Sequence, residues 1–212
     1  PQVASIGGEW AVIGLARSGV DISEEYYANY YHTVEEFVKA CDGVLHDKKY
    51  TEYSRVILAL TAIGRDPADV AGYNLLVPLG DYEKTIWQGI NGPVWALLAL
   101  DSGDYEIPLN PAAAVQATRE MYLNRILECQ LPNGSWSFLD DTDSSDSIFD
   151  PDVTGMVLQA LAKYQENARV KAATEKALTC ISEHQNADGG IDRYRCGKGP
   201  AGKRKSRHSK AA

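Results

Sequence analysis

What this chain lacks narrows its class before any motif is read. No apolar run approaches the roughly 20 residues needed to cross a bilayer as a helix, so no transmembrane segment is expected. No secretory leader is read either; the chain starts at Pro1, as it would if a leader had been removed or left off. Cys41, Cys129, Cys180 and Cys196 show no CxxC or Cys–His spacing; they read as buried apolar residues, and no disulfide is assigned. Phosphate-cradling glycine loops, dinucleotide fingerprints and nucleophilic triads are missing, and no cofactor is expected. No stretch alternates polar and apolar residues with period two over a useful length, so almost no sheet is expected. The fold class is all-α.

Basic charge is also scarce over most of the chain. Eight of the 21 Lys and Arg lie from Arg193 onward, where there is no acid. Residues 1–192 therefore hold 13 bases against all 29 acids, a net charge of −16. Such a body repels phosphate backbones, so nucleic acid is excluded as its partner. The last residues, 193–212, have no apolar periodicity and read as a disordered basic tail. As function, that tail suits an anionic surface or nucleic acid; as a simpler and preferred account, it is sequence foreign to the domain. With 44% hydrophobic residues, 1–192 can bury one core and is read as one domain.

What is present is a repeat. Trp10–Gly19 reads WAVIGLARSG, Ser54–Gly64 SRVILALTAIG, Pro93–Gly103 PVWALLALDSG and Val153–Gln165 VTGMVLQALAKYQ. Helices apolar on nearly every side are buried between neighbours. Between them the pattern predicts two-faced outer helices, for example one capped by Ser23 with Tyr27, Tyr30, Tyr31, Val34, Phe37 and Val38 on a single stripe. Further outer helices are expected from Asp66-Pro67 to about Leu76, from Asn110-Pro111 to about Glu128, and from Ala168 to about Glu183, with a short one from Tyr82 to Trp87. A Gln-turn-aromatic clasp, ILECQLPNGSW, runs from Ile126 to an exposed-looking Trp136, and recurs weakly as ISEHQNADGGI. Gln130 and Gln185 are 55 apart, as are Gly134 and Gly189, and Ile191 stands where Trp136 stood.

The clasp resembles the QW motif of squalene-hopene and oxidosqualene cyclases. The alternating helices resemble the α/α toroid of those cyclases and of protein prenyltransferase β-subunits. Phrases such as GGEWAVIGLARSG, GINGPVWALLALDSGDY and DPDVTGMVLQALAKY are similar to those of secreted bacterial prenyltransferase/squalene-oxidase repeat proteins, over most of residues 7–190. The resemblance implies inner and outer helix pairs curling round a cavity, in an extracytoplasmic protein. Four clear pairs are read where a closed toroid of that kind takes about six, so an incomplete, C-shaped arc is expected. Its open edges would favour a homodimer or a missing segment.

Chemistry concentrates at a few residues. Asp150-Pro151-Asp152-Val153-Thr154 resembles the acid motif with which squalene-hopene cyclases protonate an alkene, with Asp152 at the position of the acid and Asp150 before it. Val153 replaces a supporting aspartate, and a strong desolvated donor needs that support. The simpler reading makes Asp150 an N-cap and Asp152 a first-turn carboxylate on the helix dipole. Asp141 and Asp143, in the loop Asp140–Asp146, could hold a hard cation, but the loop lacks an EF-hand's Gly and Glu and the DDxxD spacing, and reads as solvated. The prenyltransferase zinc set is absent, since no Asp-x-Cys occurs and His32, His46, His184 and His208 are scattered. Trp10, Tyr53, Trp95, Trp136 and Phe149 are candidates for an aromatic ligand wall, the alternative being ordinary core. Two functions follow: a non-catalytic module binding a small hydrophobic or aromatic molecule, a glycan or a protein in its concave face, or a terpene-cyclase-like enzyme with Asp152 as general acid.

Overall fold

The computed structural model describes residues 3, 4, 6–138 and 149–191. Eight α-helices run through them: α1 (Ile6–Arg17), α2 (Glu24–Ala40), α3 (Thr51–Ala62), α4 (Tyr82–Ile86), α5 (Asn91–Asp101), α6 (Arg119–Glu128), α7 (Pro151–Leu161) and α8 (Ala168–His184). Short 3-10 turns cover Val77–Gly80 and Ala162–Tyr164. Among the described residues there is no strand, only isolated bridges at Val70–Tyr73, Asp81–Gln116 and Gln185–Ile191. The chain is all-α.

Helix starts follow the side-chain chemistry of their caps. Ser23, Asp81, Thr118, Asp150 and Asn167 each accept a hydrogen bond from a first-turn amide of the helix that follows. Those amides have no partner within the helix, so a short polar side chain at the cap satisfies them. Pro151 opens α7 where its missing N–H costs nothing.

The apolar phrases form α1, α3, α5 and α7, which pack on one another in chain order. Three contacts fix their direction. At one end the Gln88 carboxamide, just before α5, accepts from the Thr51 amide at the start of α3. At the other end Thr61 of α3 meets the Tyr105 hydroxyl beyond α5, and Asp101 of α5 accepts from the Tyr164 hydroxyl beyond α7. Starts lie beside starts and ends beside ends for α3 and α5, which run parallel, and the end of α7 lies beside that of α5. Burial is near complete along this row: Val56, Ile57, Ala59 and Leu60 in α3, and Val94, Ala96, Leu97, Ala99 and Leu100 in α5, are wholly inaccessible.

The other long helices flank the row. α6 packs on α5, α8 packs on α7, and α6 and α8 touch each other. α2 buries only Tyr30, Val34 and Val38, the stripe expected of a helix with one face in water. The chain from α5 into α6 is pinned at its corner, where the Arg119 guanidinium reaches the Asp101 carboxylate at 3.1 Å and the Tyr105 carbonyl at 2.6 Å.

Two expected helices do not form. From Asp66 to Leu76 the chain turns instead: Asp66 accepts from the Ala68 amide, Asp69 from the Gly72 amide, and Val70 and Tyr73 exchange both backbone bonds. Aspartate side chains here offer the backbone partners that compete with a helix. From Pro111 to Ala117 the alanine-rich stretch is also non-helical. Its backbone bonds go sideways, Tyr82 N to Val115 O and Ala117 N to Gly80 O, while Gln116 braces Asn110 and Pro108. Tertiary pairing overrides alanine's helix propensity, and α6 starts only at its Thr118 cap.

Candidate functional site

The clasp after α6 is built from its glutamine. Gln130 donates through its amide nitrogen to the carbonyl of Gly134, closing its own turn, and to that of Ala173 on α8, each at 2.8 Å. Gly134 holds φ 90°, and a Cβ there would stand 2.8 Å from the Lys176 carbonyl, so only glycine lets the turn seat on α8. Trp136 is not exposed, as its place after a turn suggested. It is wholly buried, with its indole N–H donating to the Ile126 carbonyl at 2.8 Å and its amide to the Thr154 hydroxyl at 3.1 Å. The clasp thus ties α6, α7 and α8 together. It also leaves an open groove of about 480 Å³ along α8, lined by Pro132, Asn133, Glu175, Lys176 and Glu183 among others, which contains none of the aromatic candidates.

Of the five aromatics, the structure brings two together. Trp10 on α1 and Trp95 on α5 lie with ring centroids 5.1 Å apart, tilted by 58°, a favourable offset geometry. Both are the fifth residue of their helices. Trp10 is 37% exposed and Trp95 half-buried. Trp87, which the sequence reading passed over, is 60% exposed just before α5. Tyr53 is buried instead, edge-on to Tyr50, with its hydroxyl accepting from the Leu45 amide; burial pushes its phenol up to about 12. Phe149 is buried beneath the His184 ring, 4.4 Å between centroids. Tyr53, Trp136 and Phe149 are packing residues, whereas Trp10 and Trp95 form an accessible pair, and Trp87 and Phe138 are exposed.

The aspartates separate in role. Asp150 is a cap: one carboxylate oxygen accepts from the amides of Asp152 at 3.0 Å and Val153 at 3.2 Å. Asp152 is exposed in the first turn of α7. Protonating an alkene calls for a carboxylic acid withdrawn from water, and an exposed position supplies no such shelter. Asp141 and Asp143 lie outside the described residues. Within these no group of three or more His, Cys, Asp or Glu could hold a metal ion. No helix among them is long and apolar enough to cross a membrane.

One charged cluster escaped the sequence reading. Glu9 on α1 is wholly buried, its carboxylate accepting from the Ala4 amide at 2.8 Å and standing 3.8 Å from the Arg55 guanidinium on α3. Arg55 also pairs with Glu52, one turn back. The Tyr30 hydroxyl of α2 lies beside Glu9, and burial followed by that negative charge pushes its pKa far up. These four side chains join α1, α2 and α3. The only hint in the sequence was a Glu and an Arg inside otherwise apolar phrases.

No family model, curated protein or solved structure matches the chain. The likeness to toroid proteins therefore rests on the clasp and the inner-helix phrases alone.

Proposed function

We propose that the chain is a non-catalytic, extracytoplasmic α/α-toroid module, its helix pairs curling into an incomplete arc whose concave face binds a small, flat apolar or aromatic molecule. The observation that carries this reading is the Trp10–Trp95 pair, accessible on the row of apolar helices, with Trp87 exposed at the end of α4. Large apolar side chains left in water on a buried row are costly unless something covers them. Tilted indoles offer faces for stacking. The row and its flanking helices are what support the arc.

The test is a titration of intrinsic tryptophan fluorescence with a flat aromatic probe such as anilinonaphthalene sulfonate, and with squalene in detergent micelles. Saturable quenching is expected in the native protein, weakened at least about tenfold in Trp10→Ala and Trp95→Ala, the scale of one lost stacking partner. Asp152→Asn should bind as the native protein does. Equal binding by all of them, or none by any, overturns the reading. Turnover of squalene that vanishes in Asp152→Asn would establish the cyclase-like alternative instead.

A further inference from the structure

We infer that the ligand of the Trp10–Trp95 pair is an organic cation, a small apolar molecule carrying an alkylammonium head that sits against the two indoles. This rests on the ligand-binding reading above and narrows it to one chemical class.

The shape of the pair sets the first limit. α1 and α5 each pack on α3, so the two rings meet across that helix. A flat ring held between them would need about 7 Å, two contact distances, and the centroids are 5.1 Å apart. The tilt of 58° instead makes a corner. A rounded head can touch both faces of a corner at once, whereas a flat ring stacks on one. There is room for it beside Trp10. Gly14, one turn further along the same face of α1, is exposed, and among the described residues nothing stands within 4 Å of a Cβ built on it.

Charge sets the second limit. The face of an indole is negative, tryptophan attracts cations better than tyrosine or phenylalanine, and cages of such rings recognise quaternary ammonium groups. The helices around the pair bring no competing base to it. α5 has no Lys or Arg, Arg17 lies seven residues and about 10 Å along α1 from Trp10, and Arg55 of α3 is held by Glu52 and Glu9. Where the chain's own cations meet rings, they take tyrosines: Arg65 over Tyr31 at 4.7 Å and Lys84 over Tyr50 at 6.0 Å. The surrounding field has the matching sign. The described residues hold 24 Asp and Glu against 13 Lys and Arg, a net of −11, and the complete chain stands at −8. Such a body gathers cations and repels anions. Helix dipoles do not reverse this, since each indole is the fifth residue of its helix, beyond the first turn where the positive end is felt.

The test compares phenyltrimethylammonium with tert-butylbenzene, two molecules of one shape that differ by a positive charge, in equilibrium dialysis against the whole chain. The cation is expected to bind at least about fivefold tighter. Trp10→Leu keeps apolar bulk and helix propensity but removes a ring face, so the ratio should fall below about twofold while the hydrocarbon binds nearly as before. Trp10→Tyr, which restores a ring, should recover most of the ratio, and thermal melts show that both variants fold. Equal affinities in the native chain, or a ratio that survives Trp10→Leu, would overturn the cation and leave an apolar site standing. Binding of neither molecule would remove the site itself, and the cation with it.

Discussion

Gly134 and Gly189 share a left-handed backbone, yet among the described residues only Gly134 is closed in by a neighbour. Gly189→Ala should cost about 1–2 kcal/mol, the strain of a Cβ in that conformation. Gly134→Ala should cost that and about 1–3 kcal/mol more, because the Lys176 backbone cannot yield as a flexible side chain would. Urea midpoints of the two variants measure the difference; equal losses would mean that the first turn is not held against α8. Trp136→Ala should lose about 3–5 kcal/mol as a wholly buried large aromatic. Trp136 was legible in the sequence as the end of a clasp. Its burial was not, because a turn motif fixes the local chain and leaves open which helices close over it.

At the scale of elements, helices whose signals are local formed where the sequence put them. α2 and α8 have a cap, a single buried stripe and a clear stop, and need no distant partner to be read. The stretch at 111–117 fails that rule, since the Val115 carbonyl and the Ala117 amide are claimed by Tyr82 and Gly80, about 35 residues away along the chain. The row itself is fastened at its far end by Asp101, which holds Arg119 at 3.1 Å and Tyr164 at 2.7 Å. Asp101→Ala should therefore cost about 2–3 kcal/mol by leaving a half-buried guanidinium and a phenol without their acceptor. It should also bring down the Tyr164 pKa, which is raised by burial first and by the Asp101 carboxylate after it. Absorbance titration of the phenols would detect that; an unmoved Tyr164 would show that Asp101 does not face it in solution.

For the whole molecule, tyrosine is the group that links pH to stability. Burial raises Tyr30, Tyr122 and Tyr164 above the usual phenol value, and Tyr53 to about 12. An unfolded chain releases these protons near pH 10 while the folded chain keeps them. Their contribution is thus fully present below about pH 10 and is lost as pH rises through about 12. Denaturation midpoints should fall steeply over that window, with the buried phenols ionising only as the chain unfolds; a flat profile from pH 9 to about 12 would contradict their burial.

The sequence by itself determined that the chain is helical, which helices are apolar all round, and where two equivalent glutamine turns fall. Those are properties of periodicity and spacing, written into neighbouring residues. Only the tertiary structure decided that Trp136, Tyr53 and Phe149 lie inside while Trp10 and Trp95 meet at an accessible surface. It alone joined Glu9 to Arg55 and turned the alanine-rich stretch away from a helix. Burial and pairing depend on residues far apart in the chain, and a one-dimensional pattern carries no record of which of them come to share a neighbour.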